Sequence, residues 1–357
     1  MSSSKKPLFL KTAIPPAIMT AALLSAPFVL SNEYYISTMV FCCINAIVVT
    51  GLNLLMGYAG QISICQAAFY GLGAYTTAIV TATCGLPILV GLIAALALVG
   101  IVAVAIGIPT LRLSGHYLAM ATLGFGIIVF IAFNETIELT GGPSGFVGIP
   151  RLALFGWEVE SDRAYYYLTA VILILSVLLI KNLVNSRIGL ALRAIHTSEQ
   201  AAQSMGINVA GYKLFAFVLS ALYAGLAGFL YAHFLSFVAP SSFGFLFSVT
   251  LITMVVFGGM GNIWGALIGA FALTALPELL RSHEAVEVLS MGVILVLAMI
   301  FMPDGITGGL ARLFKRLSKS SPDHESKAHP NEAYPAQTGA PATHLKEDSS
   351  RGGPDAH

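Results

Sequence analysis

The chain has 357 residues, of which 57% are hydrophobic and only 10% are charged, and its mean hydropathy is +0.83. Soluble globular domains carry roughly 25% charged residues, so this composition excludes an ordinary soluble domain and predicts an integral membrane protein. The formal net charge of +1 carries little information by itself. We expect a lipid membrane as a partner and no nucleic acid.

Apolar stretches of membrane-helix length recur along the chain. A helix needs ~20 apolar residues to cross a bilayer, and the pattern is helical, unlike the alternating strands of a barrel. Candidate spans lie near residues 13–30, 36–57, 69–84, 88–110, 116–133, 165–182, 213–235, 244–260, 262–280 and 286–302. We therefore predict an all-α polytopic bundle of about eight to ten transmembrane helices, some of them broken, over residues 12–310.

The two ends of the chain differ from the apolar part. Residues 1–11 are short and basic, and the apolar run that follows to Ser25-Ala26-Pro27 resembles a secretory signal. The Pro15-Pro16 pair and the many later spans favour an uncleaved first span. Residues 311–357 are polar and are predicted to be a disordered tail. Scattered histidines in this segment leave metal binding as a weaker alternative.

The basic residues predict an orientation, because cytoplasmic loops of membrane proteins are enriched in Lys and Arg. If Lys5, Lys6 and Lys11 are cytoplasmic, successive crossings place most other basic residues on that side: Arg112, Lys181, Arg187, Arg193, Arg312, Lys315, Arg316 and Lys319. The opposite side receives only Arg151, Arg163 and Arg281. Both termini are therefore predicted to be cytoplasmic, and the loop over residues 134–164 is predicted to face outward.

A polar segment at residues 183–212, here called the polar island, separates two apolar blocks. Thr197-Ser198-Glu199-Gln200 matches a capping box with Thr197 as the N-cap, and Gly206 suits the left-handed residue that ends a helix. This predicts a short helix capped at both ends, on the cytoplasmic side. An apolar face at helical spacing is predicted from Ile188, Leu192, Ile195, Ala202 and Met205. That face either enters a partner's groove or packs against the chain's own helix ends.

Two similar glycine-rich breaks interrupt the apolar pattern. Residues 57–62 and residues 258–263 both fit G-x-x-G-[QN]-I. Irregular backbone is tolerated at membrane depth only where protein or a water-filled cavity satisfies its polar groups, so the breaks are candidates for a translocation route. Tight turns at the membrane edge are the equally weighted alternative. The candidate route residues are Asn53, Gly57, Gly60, Gln61, Ser63 and Gln66.

Enzyme signatures are absent from the sequence. There is no P-loop, no zinc-protease motif, no nucleophile elbow and no carboxylate pair inside a span, and the cysteines lack metal-ligand spacing. The clearest intramembrane polar groups are uncharged, which suits a route for a small polar or zwitterionic solute moved by an external energy source. We predict no catalytic site, no metal site and no cofactor on this chain.

Several collinear segments resemble one known family. The first is Gly51-Leu52-Asn53-Leu54-Leu55-Met56-Gly57-Tyr58-Ala59-Gly60-Gln61-Ile62-Ser63 with the following residues 67–75, and others are residues 139–150, the polar island and residues 242–261. This pattern is similar to the permeases of branched-chain amino acid ABC importers, the LivH/LivM family, and more to the LivM type. The resemblance covers about residues 36–309.

The resemblance implies a function and a set of partners. It implies a fold like that of type II ABC-importer permeases and a subunit that translocates branched-chain amino acids across the bacterial inner membrane by alternating access. The partners would be a second, LivH-like permease, two cytoplasmic ATPase subunits that hold ATP and Mg, and a periplasmic solute-binding protein. The island would be the segment that couples to the ATPase, through Arg193, Glu199, Ala201, Ala202 and Gly206.

One departure from the family leaves the solute open. Cys65-Gln66 stands where many relatives have Gly-His, beside the candidate route. Relatives of this type also carry urea, short amides or aromatic acids, and these remain alternative solutes. A self-sufficient secondary carrier or channel is the alternative from another functional class.

Overall fold

A computed structural model of the chain describes residues 32–113, 115–154, 157–158 and 161–280, together with residues 23, 25 and 27. The main helices are α1 (Glu33–Asn53), α2 (Gln66–Ala78), α3 (Ile88–Thr110), α4 (His116–Glu135), α5 (Ile137–Thr140), α6 (Asp162–Val184), α7 (Arg187–Thr197), α8 (Glu199–Ser204), α9 (Val209–Leu235), α10 (Phe245–Gly258) and α11 (Ile263–Leu280). π-Helical turns extend α1 over Leu54–Tyr58 and α2 over Ile79–Thr83. The predicted all-α polytopic bundle is confirmed.

The few strands are short and lie in connecting segments. β1 (Phe146–Val147) pairs antiparallel with β4 (Phe237–Val238), with Phe146 opposite Val238, and β2 (Ala153–Leu154) pairs with β3 (Trp157–Glu158). Short 3₁₀ turns occupy Gly142–Ser144 and Pro240–Phe243. The β1–β4 ladder ties the loop after α4 to the loop after α9, at the end of the bundle that we call the loop end.

Within the described residues, five helices are long and apolar enough to cross a membrane: Glu33–Tyr58, Ile88–Thr110, His116–Glu135, Asp162–Val184 and Val209–Leu235. Phe245–Gly258 and Ile263–Pro277 are shorter apolar helices. These helices coincide with predicted spans. The predicted segment 1–11, most of the span 13–30, the span 286–302 and the tail 311–357 lie outside the described residues.

Glycines allow the central helices of the bundle to touch through their backbones. A Cβ at Gly73 of α2 would overlap the backbone of Gly225 in α9, and a Cβ at Gly228 would overlap the carbonyl of Tyr70. Small residues of this kind let membrane helices approach closely. α1, α2 and α9 thereby form the buried centre, whereas α3 and α4 expose most of their apolar side chains.

The polar island lies at the end of the bundle opposite the loop end, here called the island end. It connects the C-terminus of α6 to the N-terminus of α9. Gly107, near the C-terminus of α3, faces Leu214 near the N-terminus of α9, whereas Gly225 faces Val99 in the middle of α3. α3 therefore runs antiparallel to α9 and also ends at the island end.

Candidate functional site: the polar island and the glycine-rich breaks

The polar island folds into two helices, each with its own serine cap. Ser186 accepts a hydrogen bond from the Ile188 N–H at 3.2 Å and begins α7, and Ser198 accepts one from the Ala201 N–H at 3.3 Å and begins α8. The predicted capping box is therefore displaced by one residue. Thr197 is instead the last residue of α7, because Ser198 after it has an extended backbone. The Thr197 hydroxyl donates to the Arg193 carbonyl at 3.0 Å.

The predicted glycine end of the short helix is confirmed. Gly206 has φ of +79°, its N–H donates to the Gln203 carbonyl at 2.9 Å, and the Ile207 N–H donates to the Ala202 carbonyl at 3.1 Å. This pair of bonds is a Schellman motif, which satisfies the last carbonyls of a helix. α8 is therefore a discrete helix of six residues, Glu199–Ser204, with both ends satisfied.

The predicted apolar face of the island packs on the chain itself. Ile195, Ala202 and Val209 form a buried cluster with Ile207 against it. Leu192 is also buried, within the main core. These side chains are already buried by contacts within the chain, so they are not available to a partner's groove. The expectation that this face enters such a groove is therefore wrong for these residues. Met205 does not share the face: 80% of its surface is exposed.

An ion pair holds α8 against the start of α9. The Lys213 ammonium donates to the Glu199 carboxylate, and only 7% of the Lys213 side chain is exposed against 46% for Glu199. A nearly buried ammonium requires a partner, because its desolvation is costly when unpaired. Glu199 therefore stabilises the contact between α8 and α9 by neutralising Lys213.

The five predicted coupling residues differ in their exposure. Ala201 and Gly206 are exposed at the tip of the island, and Ala202 is 1% exposed and belongs to the anchoring cluster. Arg193 is exposed, and its guanidinium lies 5.4 Å from the centre of the Tyr58 ring. The exposed side of α8 and of the turn that follows it is made by Gln200, Ala201, Gln203, Ser204, Met205 and Gly206.

The first glycine-rich break is an irregular segment that enters the bundle. After the π-helical turn, Gly60 adopts φ of +67°, and residues 60–65 form no helix or strand. Side chains of neighbouring helices satisfy backbone groups of this segment and of the first turn of α2: the Ile64 N–H donates to Thr122 Oγ1 and the Ala67 N–H donates to Ser248 Oγ, both at 3.1 Å. The Gln66 amide donates to Ser220 Oγ at 3.0 Å, near the middle of α9.

The second break is a tight turn between α10 and α11, as the alternative interpretation predicted. It also contacts the first break. The Gly261 N–H donates to Asn53 Oδ1 at 2.9 Å, and a Cβ at Gly57 would overlap the Gly261 nitrogen. The two similar sequence segments are thus in direct contact, with Asn53 and Gly57 on one side and Gly261 on the other.

The candidate route residues are gathered in this region, and their side chains are buried. Asn53, Gln61, Ser63 and Gln66 each expose 3% or less of their surface. Among the described residues, Asn53 Nδ2, both amide atoms of Gln61 and Gln66 Oε1 have no hydrogen-bond partner. Gly60 is exposed and lies against the ring of His196 in α7.

Two contacts in this region join residues that no sequence pattern had linked. Tyr58 meets Arg193, and Gly60 meets His196. Tyr58 lies inside the G-x-x-G-[QN]-I segment and Arg193 inside the island, but their separation in sequence concealed the contact. Lys213 and Ser248 were also missed, because each lies inside an apolar span.

Comparison with known proteins identifies the family. The family described as "Branched-chain amino acid transport system / permease component" matches residues 34–302, which is more than half of the chain. The chain belongs to this family. It is a transport permease of the membrane, and the resemblance predicted from the sequence is confirmed.

The most informative relatives are of the LivM type. The permease is 36% identical to the high-affinity branched-chain amino acid transport system permease protein LivM of Salmonella typhimurium, over 85% of this chain and 76% of the relative. It is 37% identical to LivM of Escherichia coli, over 72% of this chain and 66% of the relative. It is 29% identical to LivH of Salmonella typhimurium, over 74% and 91% of the two chains. No solved structure is a significant match to the chain.

Proposed function

We propose that this permease is the membrane-spanning subunit of an ATP-driven importer that carries branched-chain amino acids across the bacterial inner membrane. The names of the LivM relatives support the solute class. The absence of a P-loop in this chain supports a separate source of ATP hydrolysis. In this proposal, ATP and Mg bind to the partner ATPase subunits.

The complex contains a second, LivH-like permease, two cytoplasmic ATPase subunits and a periplasmic solute-binding protein. The island end faces the cytoplasm, with both termini, and the loop end faces the periplasm. The basic residues of the island, Arg187 and Arg193, and Lys181 just before it support this orientation.

One observation carries the coupling role: α7 of the island contacts the first glycine-rich break through Arg193 and Tyr58. The exposed side of α8 docks on an ATPase subunit. When ATP closes the ATPase pair, α8 and α7 move together, because the Ser198 cap and the buried cluster join them. The Tyr58 contact passes this movement to the end of α1, and the bundle alternates between outward-open and inward-open states.

Reconstitution tests this function. Proteoliposomes that hold the permease with its LivH-like partner, ATPase subunits and binding protein are expected to take up radiolabelled leucine only with ATP. Vesicles with the permease alone and vesicles with a Walker-mutant ATPase are the controls. Gradient-driven uptake by the permease alone would overturn the proposal in favour of a secondary carrier. Uptake of urea, short amides or aromatic acids without leucine uptake would overturn the solute class.

A further inference from the structure

A half-open cavity of about 300 Å³ lies among the helices of the bundle, and no residue of the island or of the two glycine-rich breaks lines it. It lies between α1, α2, α9, α10 and α11 and below the 3₁₀ turn of the loop end. Its polar lining consists of Thr38, Asn45, Tyr70, Tyr231, Ser242 and Thr274. Its volume is at the lower end of the ~300–1,000 Å³ that small-molecule sites occupy, which suits a solute of amino-acid size.

The cavity extends from the loop end toward the middle of the bundle. Ser242 belongs to the turn at the loop end, and Thr38 lies in the second turn of α1. Asn45 lies about 10 Å farther along α1 at 1.5 Å per residue. Tyr70 comes one helical turn after Gln66, the first residue of α2, so the inner side of the cavity adjoins the irregular segment of the first break.

The polar groups of the cavity are neutral, and some of them hold each other. Asn45 donates to Thr274 Oγ1 at 3.1 Å, and the Tyr231 hydroxyl donates to Ser242 Oγ at 3.2 Å. Tyr70 lines the cavity, although only 2% of this residue is exposed. The Tyr231 hydroxyl and the Thr38 hydroxyl, which donates to the Tyr34 carbonyl at 3.1 Å, are already engaged as donors. The second N–H of Asn45 and the hydroxyls of Tyr70, Ser242 and Thr274 offer donors to a carboxylate.

Aromatic rings form the rest of the wall. The Tyr70 ring centre lies 5.5 Å from that of Tyr231 and 5.3 Å from that of Phe247, and the Phe41 ring lies 6.1 Å from Tyr231. The face of an aromatic ring attracts a cation such as an ammonium group. The aromatic wall can therefore bind the ammonium group of a zwitterion, as the donors can bind its carboxylate. None of the described lining residues is charged.

We propose that this cavity is an intramembrane binding site for a zwitterionic amino acid entering from the loop end. Hydroxyl and amide donors hold the carboxylate, and the aromatic faces hold the ammonium. Because the two ligand charges cancel and the wall is neutral, a solute with a net charge loses hydration without compensation and is excluded. The site rests on the proposed import function, and it places the solute in a cavity that none of the candidate route residues lines.

Removal of one hydroxyl tests the site with the assembled transporter. Tyr70→Phe keeps the ring and removes the donor, so the KM for leucine is expected to rise about 5-fold, the equivalent of one hydrogen bond of ~1 kcal/mol. Tyr223→Phe is the matched control, because the Tyr223 hydroxyl donates to the Ser176 carbonyl at 2.9 Å and does not line the cavity. An equal KM in wild type and Tyr70→Phe would overturn the proposal.

Thiol labelling gives a second readout that requires no ATP. Cys84 is exposed and the other three cysteines are buried, so Cys84→Ser provides a background with little reactivity. In this background leucine is expected to slow the labelling of Ser242→Cys by a hydrophilic maleimide several-fold. It should leave Val147→Cys, on the exposed β1 at the same end, unchanged. Equal rates at Ser242→Cys with and without leucine, or equal slowing at both positions, would overturn the site.

The two readouts separate the site from the proposed function. If the wild-type complex shows no ATP-driven leucine uptake, the import function fails. The labelling result still decides whether leucine enters the cavity. If uptake is normal and neither Tyr70→Phe nor leucine protection behaves as expected, only the site fails.

Discussion

The guanidinium of Arg193 lies 5.4 Å from the centre of the Tyr58 ring. Tyr58 is the last residue of the π-helical turn of α1, and Arg193 lies in the middle of α7. One contact therefore joins the polar island to the first glycine-rich break. A cation over an aromatic ring contributes ~0.5–1 kcal/mol at an exposed site, enough to bias a movement without locking it.

Loss of the Tyr58 ring is expected to uncouple transport from ATP hydrolysis. Tyr58→Leu removes the aromatic face, whereas Tyr58→Phe retains it. We expect leucine uptake per ATP hydrolysed to fall about 2- to 5-fold in Tyr58→Leu and Arg193→Ala, which corresponds to ~0.5–1 kcal/mol. Arg187→Ala, an exposed arginine at the start of α7, is the control. Equal coupling ratios in Tyr58→Leu and Tyr58→Phe would show that the ring face has no such role.

Replacement of Glu199 is expected to loosen α8 from α9. Glu199→Gln leaves the nearly buried Lys213 ammonium without its counter-charge, at a cost of about 1–3 kcal/mol. Amide hydrogen exchange in α8 should then accelerate, and less ATPase should co-purify. The second substitution Lys213→Met removes the unpaired charge. If Glu199 serves only the ion pair, the double variant regains ATPase binding; continued loss would show that Glu199 also contacts the ATPase.

Gly206 is expected to tolerate asparagine but not alanine or valine. Its φ of +79° costs most side chains ~1–2 kcal/mol, and asparagine less, whereas no atom within 4 Å would meet an added Cβ. Gly206→Val should therefore fray the end of α8 and weaken ATPase co-purification, and Gly206→Asn should retain it. The same loss in both variants would indicate a direct contact at Gly206 instead of a conformational requirement.

Gly57 is expected to be sensitive to a single methyl group. A Cβ there would overlap the Gly261 nitrogen and Asn53 Oδ1, so Gly57→Ala must separate the two breaks. Overpacking of this kind costs about 1–3 kcal/mol. We expect a lower unfolding temperature in detergent together with reduced transport. Gly124→Ala in α4, where no atom lies within 4 Å, is the matched control, and equal stability of the two variants would contradict the contact.

Substitutions at Gln66 and Ser220 are expected to show whether the buried Gln66 amide lies on the solute route or only packs α2 against α9. Ser220→Ala removes its one described hydrogen-bond partner, and Gln66→Leu removes the amide itself. If Gln66 only joins α2 to α9, both variants should lower stability by about 0.5–1.5 kcal/mol and affect transport alike. If Gln66 lies on the route, Gln66→Leu should change leucine KM or solute preference at unchanged assembly, whereas Ser220→Ala should not.

Local sequence patterns were sufficient for several elements. Apolar stretches of bilayer length predicted the long helices, because lipid requires nearly every exposed side chain of a span to be apolar. Gly206 predicted the end of α8, because a left-handed residue there is a local requirement of the backbone. The helix start was misplaced by one residue, since Thr197 and Ser198 are both competent caps and only the backbone path decides between them.

Contacts between distant segments could not be obtained in this way. The helical spacing of apolar residues in the island predicted a face that binds in a partner's groove, yet Ile195 and Ala202 pack with Val209 of α9. Periodicity shows that a face is apolar but not what covers it. The meeting of Gly57 with Gly261 and of Tyr58 with Arg193 likewise depends on helix directions that no single segment contains.

The sequence by itself determined that this protein is a polytopic helical permease with a polar island and two glycine-rich breaks, because composition, length and local backbone preferences are properties of single segments. Only the tertiary structure decided that the two breaks touch, that Glu199 pairs with Lys213, and that neutral side chains from six parts of the chain line one cavity. These relations arise from the packing of helices against each other, and packing energy depends on the shape of both surfaces.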